Sequence, residues 1–168
     1  WMYKMLQHKS KDYKCYICPV LADNWNEAMH LAWRTFMEYE SADYTDEGIE
    51  NFRRFVSDDK LRQLSGLGLY DVYAAYVDGN IAGMISLRNG NHISLLFVDG
   101  IYHRRGIGRA LVGHLLEQLK RDGRYDRVTV DAAPYGIEFY HRLGFADISS
   151  EQCRDGIIYT PMERKLDG

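Results

Sequence analysis

Apolar positions along the chain repeat with two different periods, and the switches between them mark out the elements. Tyr13 to Val20 alternates as a half-buried strand does, and Pro19 ends it. From Trp25 to about Glu40 the apolar residues Ala28, Met29, Leu31, Ala32, Phe36 and Tyr39 recur at helical spacing, with Asp23 or Asn24 as the cap. Ser41-Ala42-Asp43-Tyr44 breaks that helix. A second begins at Thr45 or Asp46 and runs through Phe52, Phe55 and Val56, and Asp58 to Gly68 holds a short helix and a loop. Val72 to Val77, Ile81 to Leu87 and Ile93 to Val98 then return to strand spacing. Asp78-Gly79-Asn80 and Asn89-Gly90-Asn91 join them as hairpins, because Asp-Gly and Asn-Gly supply the positive φ that tight turns require.

The stretch that organises the rest is ISLLFVDGIYHRRGIGRALVGHLLE, Ile93 to Glu117. Its apolar run breaks at Asp99-Gly100 and enters a basic, glycine-spaced turn. From Ile107 the residues Ala110, Leu111, Leu115 and Leu119, widened by Val112 and Leu116, give a helix with one buried face. Strand, glycine turn and helix start build an anion site in that order. The first N–H groups of a helix lack intrahelical acceptors and the dipole adds positive charge there, so the backbone from Arg104 to Ala110 suits a phosphate. Gly106 and Gly108 leave room for its approach. A Walker loop needs a closing Lys-Ser/Thr, and a dinucleotide fingerprint needs a third glycine and a later acid. Gly106-Ile107-Gly108-Arg109-Ala110-Leu111 completes neither.

Composition narrows the class. A chain of 168 residues that is 46% apolar and 27% charged is expected to be one soluble domain, spanning residues 1–168. No apolar run reaches membrane length and no signal-peptide pattern opens the chain, so no membrane is expected and the location expected is cytoplasmic. Trp1 is not a translation start, which sets residues 1–10 aside as an expression remnant, a trimmed end or a disordered lead-in. The net charge of −3 gives no reason to expect nucleic acid, but the charge is unevenly spread. Phe36 to Asp59 holds eight acids against two arginines, and Val98 to Arg127 holds seven Lys or Arg against four acids. That asymmetry suits a polyanionic cofactor in one region and a cationic acceptor in the other, or two solvated helix faces. Cys15 and Cys18 have metal spacing within a strand, where positions three apart point to opposite faces, and no second pair completes a site; no metal is expected.

Beyond the central helix, Arg127 to Asp131 alternates as a strand. Pro134 starts a helix of about nine residues that Gly144 stops, and Phe145 to Ile148 and Gly156 to Met162 close the chain as strands. The order βααβββαβαββ describes one mixed α/β domain. The string HRRGIGRA, His103 to Ala110, resembles the acyl-CoA pyrophosphate loop of the GCN5-related N-acetyltransferase (GNAT) family, with His103 where that family commonly has Gln or Arg. VDAAPYGIEFYHRLGF, residues 130 to 145, resembles the family's later signature about 27 residues on, with Asp131 in place of the usual Asn. RDGIIYTPMERKL resembles its last strand.

The resemblance implies a single-domain fold with a mixed, largely antiparallel sheet flanked by helices. It also implies acetyl transfer from acetyl-CoA to a primary amine in a ternary complex. The cofactor contacts it implies are the backbones of Phe97 and Val98, the loop from His103 through Arg104, Arg105, Gly106, Ile107, Gly108 and Arg109 to Ala110, then Asp131, Ile137 and Tyr140. Tyr140, the tyrosine of Phe-Tyr, is expected to act as general acid toward the leaving thiolate, being protonated at neutral pH. Backbone N–H at the end of the strand before the loop is expected to hold the carbonyl. The base stays open among Glu38, Glu40, Asp43 and a water chain. Partners expected are acetyl-CoA and a small amine, with a homodimer left open. A non-catalytic acyl-CoA-binding regulatory module of the same fold is the rival reading.

Overall fold

In the computed structural model, residues 6–10 and 13–167 are described. The first alternating segment is β2 (Tyr13–Pro19), preceded by β1 (Leu6–Ser10), whose pairing runs from Leu6↔Ile17 to Ser10↔Tyr13. The sequence pattern does not mark β1, which pairs with β2 at the sheet edge. Helices α1 (Trp25–Tyr39), α2 (Asp46–Ser57) and α3 (Asp59–Gly66) follow, then β3 (Tyr70–Val77), β4 (Asn80–Arg88) and β5 (His92–Val98). The Thr45 side chain accepts from Gly48 N–H and caps α2, while Asp58 caps α3 by accepting from Lys60 N–H.

Next come α4 (Ile107–Asp122), β6 (Arg127–Ala132), α5 (Ile137–Arg142), β7 (Ala146–Asp147), β8 (Gln152–Arg154) and β9 (Ile157–Lys165). The helix expected from Pro134 is a 3-10 turn, Pro134–Gly136, running into α5, and Gly144 stops it at φ +87°. The strand expected at Phe145 to Ile148 is only two residues long. β8 went unmarked because all three of its residues are exposed and carry no alternation.

The sheet order is β1-β2-β3-β4-β5-β6-β9-β7, with β8 on β9. Only β5 and β6 pair parallel; every other pair among the described strands is antiparallel. Two cores fill its faces. Helix α4 covers one with Ile107, Leu111, Val112 and Leu115, against Ile85, Leu87 and Val128. Helices α1 to α3 cover the other, where Ala28, Leu31, Ala32 and Phe36 meet Val72, Met84 and Phe97.

A bulge in β5 changes which side of the strand faces which core. Ser86 opposes Leu95 and Leu87 opposes Ile93, so Ser94 is the extra residue. Ile93 therefore joins the α4 core while Leu95 and Phe97 join the core under α1, although strict alternation would set all three on one face.

Candidate active site

Parallel pairing between β5 and β6 covers only His92↔Thr129 and Ile93↔Val130. Beyond it the strands part and border a cavity of about 1350 Å³ that reaches from Arg88 and His92 to the start of α4 and across to α1 and α2. Register decides which backbone groups β5 offers to this gap. Asp99 N–H donates to Ala82 O at 2.8 Å, so the next residue inward, Val98, turns its N–H and C=O away from β4. By the same alternation Leu96 shares that edge, whereas Phe97 turns its backbone to β4 and its side chain to the core, edge-on to Phe52 at 5.8 Å. The open-edge pair is thus Leu96 and Val98, where the sequence reading took Phe97 and Val98.

The carbonyl of Val98 is occupied. The His103 ring, through Nε2, lies 2.7 Å from it, and its other face lies 4.6 Å from the Tyr39 ring. His103 thereby fixes the strand end and leaves the Val98 N–H as the group presented to the cavity. Asp99 is tied twice over, accepting from Ile101 N–H and pairing with Arg34 at 2.7 Å, and that guanidinium holds its carboxyl below the usual range despite the opposing effect of burial.

The loop then turns through Arg104 at φ +63° and Gly106 at φ +80° into α4. Its residues border two depressions, with Gly106, Ile107 and Arg109 shared by both. His103, Arg104, Gly106, Ile107, Gly108 and Arg109 line the large cavity, and Arg105 and Ala110 line a second of about 670 Å³ bounded by Arg142 and Arg164. Gly108 has a reason other than phosphate access: a Cβ there would stand 3.2 Å from the Phe139 ring, so the glycine lets α5 close on α4. Ile137, expected at the cofactor, packs against the α4 core and lines neither depression.

Tyr140 lies on α5 between Phe139 and Phe145, with both rings at 5.2 Å, and is only 6% exposed on the cavity wall. Burial, and after it the charge of Glu40, pushes its hydroxyl pKa far up, so it holds its proton throughout the physiological range. Glu40 follows the last turn of α1, and burial, seconded by Asp43, raises its carboxyl from 4.5 to about 7. Tyr44 beside it is raised by burial and by the same two acids. The three acids left open by the sequence are thereby separated. Glu40 lines the cavity, while Glu38 and Asp43 are exposed and do not.

At the vertex of the gap, His92 and Asp131 also line the cavity. His92 Nδ1 is 2.7 Å from Thr129 Oγ1, its Nε2 is 3.6 Å from Asp131, and Arg88 lies 3.9 Å from the same carboxylate. Burial lowers the His92 pKa, Arg88 adds to this, and Asp131 opposes both. Asp131 therefore sits in a side-chain cluster with His92 and Arg88. Tyr39 and Leu96 are site residues the sequence reading missed. For Tyr39 the available signal was its place on the apolar stripe at the end of α1; for Leu96 there was none, because the bulge sets its phase.

A profile of the acetyltransferase (GNAT) domain matches residues 40–166. The chain belongs to the GNAT family. YafP of Escherichia coli (strain K12), described as an uncharacterized N-acetyltransferase, is 32% identical over 98 residues, covering 57% of this chain and 61% of YafP. The match thus spans less than two thirds of that relative. Among solved structures, a GCN5-related N-acetyltransferase from Rhodopseudomonas palustris superposes with TM-score 0.77 at 20% identity, over 98% of this chain and 99% of the other. The PaiA N-acetyltransferase of Thermoplasma acidophilum, solved in complex with coenzyme A, gives 0.74 at 21% identity, over 90% and 99%. These likenesses establish the GNAT fold: a mixed α/β domain with a largely antiparallel sheet flanked by helices. Among the described residues no helix is long and apolar enough to cross a membrane.

Proposed function

We propose that this protein transfers the acetyl group of acetyl-CoA to a primary amine, favouring a small cationic one, by direct attack within a ternary complex. The observation that carries the reading is the gap between β5 and β6. Val98, Tyr140 and Glu40 all line the one cavity that opens there and reaches the N-terminus of α4, and Val98 turns its backbone away from β4. Coenzyme A in complex with the PaiA enzyme and with an aminoglycoside 6'-N-acetyltransferase of the same fold supports the choice of donor.

In this reading the pyrophosphate takes up the first N–H groups of α4, with Arg104 and Arg109 as countercharges. The thioester lies along the open edge of β5, and Val98 N–H donates to its carbonyl oxygen as negative charge develops there. Glu40, ionised above about pH 7, accepts a proton from the ammonium group. The freed nitrogen lone pair attacks the carbonyl carbon. The carbonyl re-forms as the C–S bond breaks, the electron pair leaves with sulfur, Tyr140 donates its proton to the departing thiolate, and the proton shed by the acylated nitrogen passes through solvent to restore the tyrosine. The ionised Glu40 also raises the Tyr140 pKa, so the state that opens the base keeps the acid protonated. Acetyl-CoA is expected to raise Tm, and a mixed amine panel to release free thiol. A raised Tm without release from any amine would favour an acyl-CoA-binding module, and no rise with any acyl-CoA would sink the reading.

A further inference from the structure

The part of the cavity away from α4 is walled by rings. Helix α2 and the turn before it contribute Tyr44, Phe52 and Phe55, all half-buried, and β9 contributes Ile157 and Tyr159. Phe52 is held rigidly, stacked on Phe36 at 4.1 Å and on Trp33 at 6.3 Å, while Tyr44 stands edge-on to Phe36 at 4.9 Å. The two walls are fastened to each other at the turn between β8 and β9. There Asn51 Nδ2 donates to Asp155 O at 3.2 Å, Thr45 N–H donates to Gly156 O at 3.4 Å, and Gly48 lies so close under Gly156 that a Cβ would overlap its carbonyl. This part of the cavity is therefore lined with rings on two walls that are tied together at one end.

The acids are distributed sparsely around it. Of the eight acids from Phe36 to Asp59 only Glu40 and Glu47 line the cavity. Glu50 is taken by Arg53 at 2.6 Å and Arg54 at 3.3 Å, and Glu38, Asp43 and Asp46 are exposed and do not line the cavity. Arg154 and Asp155 at the outer turn offer one charge of each sign. A polyamine or an aminoglycoside needs carboxylates repeated along its length, whereas rings satisfy a flat apolar body.

Building on the acetyltransferase reading, we infer that the acceptor is an arylalkylamine: one ammonium head at Glu40 and a flat ring inserted between Phe52 and Phe55 on one side and Tyr159 on the other. Stacking on these walls corresponds to a preference of roughly tenfold for a ring-bearing amine over an alkylamine of similar reach. Thiol release from acetyl-CoA is to be compared for 2-phenylethylamine, butylamine and spermidine. The expected kcat/KM is highest for 2-phenylethylamine, and its advantage over butylamine falls toward unity in Tyr159→Leu and Phe55→Leu. The acetyl-CoA-induced rise in Tm reports that each variant is folded. Equal or better turnover of butylamine or spermidine, or an undiminished ring preference in both variants, overturns the inference. If no amine releases thiol, the acetyltransferase reading fails separately, and calorimetry with coenzyme A present still decides: 2-phenylethylamine must bind about tenfold more tightly than butylamine.

Discussion

Replacing Glu40 with Gln tests the base and its environment together. Burial and Asp43 raise this carboxyl from 4.5 to about 7 in the folded protein. Below pH 4.5 the group is protonated in both states and has no effect on stability. Between 4.5 and 7 the unfolded chain loses the proton while the folded chain keeps it, so folding stability declines as pH rises, and above 7 the cost is constant. A displacement of this size corresponds to at most about 3 kcal/mol, and solvent at the open cavity reduces it to roughly 1–2 kcal/mol. Glu40→Gln removes the cost. Its Tm should match that of the parent at pH 4 and exceed it at pH 8.5 by roughly 2–8 °C for a chain of this size. In kinetics with both substrates saturating, the parent kcat should rise through about pH 7 and level off, whereas the variant should be about 10²-fold slower and lack that inflection. A Tm difference of equal size at both pH values would show that Glu40 does not titrate in the cavity. Retention of the inflection near 7 with a loss under fivefold would remove it as the base.

Tyr140→Phe preserves the packing against Phe139 and Phe145, so acetyl-CoA should still raise Tm while kcat falls about 10²-fold, as checked by thiol release. Arg109→Glu, an exposed change in the first turn of α4, should abolish most of the acetyl-CoA-induced Tm rise. It is a cleaner probe than substitution of Gly106, whose φ is +80°, or of Gly108, whose Cβ would press on Phe139. Gly48→Ala forces a methyl into the Gly156 carbonyl and should cost roughly 1–3 kcal/mol in urea denaturation, along with the acceptor's KM. With acetyl-CoA saturating, the KM of a cationic acceptor should rise with ionic strength, since charge pairs beyond about 10 Å are screened at 0.1 M.

What the sequence made legible was whatever is coded locally. The turn residues Asp78-Gly79 and Asn89-Gly90 announce their hairpins, and the left-handed φ values found at all four positions are the reason those residues stand there. The start of α4 was legible because Gly106 and the apolar stripe from Ile107 are contiguous. Register was not. Nothing in Ile93-Ser94-Leu95 says that Ser94 is unpaired, since the bulge divides one strand between two cores that each draw on distant parts of the chain, and it shifts the cavity-facing backbone from Phe97 to Leu96 and Val98. Glu40 was partly legible. It stands four residues after the fully buried Phe36, hence on the same face of α1, whereas Glu38 is turned well away from that face.

The end of α1 joins two requirements of the chemistry. Tyr39 packs its ring on His103 and seats its hydroxyl over Gly100, where a Cβ would collide with it, so the helix holds the strand end and the turn leading to the anion-binding loop. The next residue is Glu40. A displacement of α1 thus moves the carboxyl and the support of Val98 together, and Arg34, one turn earlier, fastens the same helix to Asp99. His103 matters here through its hold on the Val98 carbonyl at 2.7 Å, which keeps the free N–H aimed into the gap. The proposed base, carbonyl donor and phosphate loop are therefore referenced to one helix end, so that the groups the proposed reaction must align are aligned before any ligand enters.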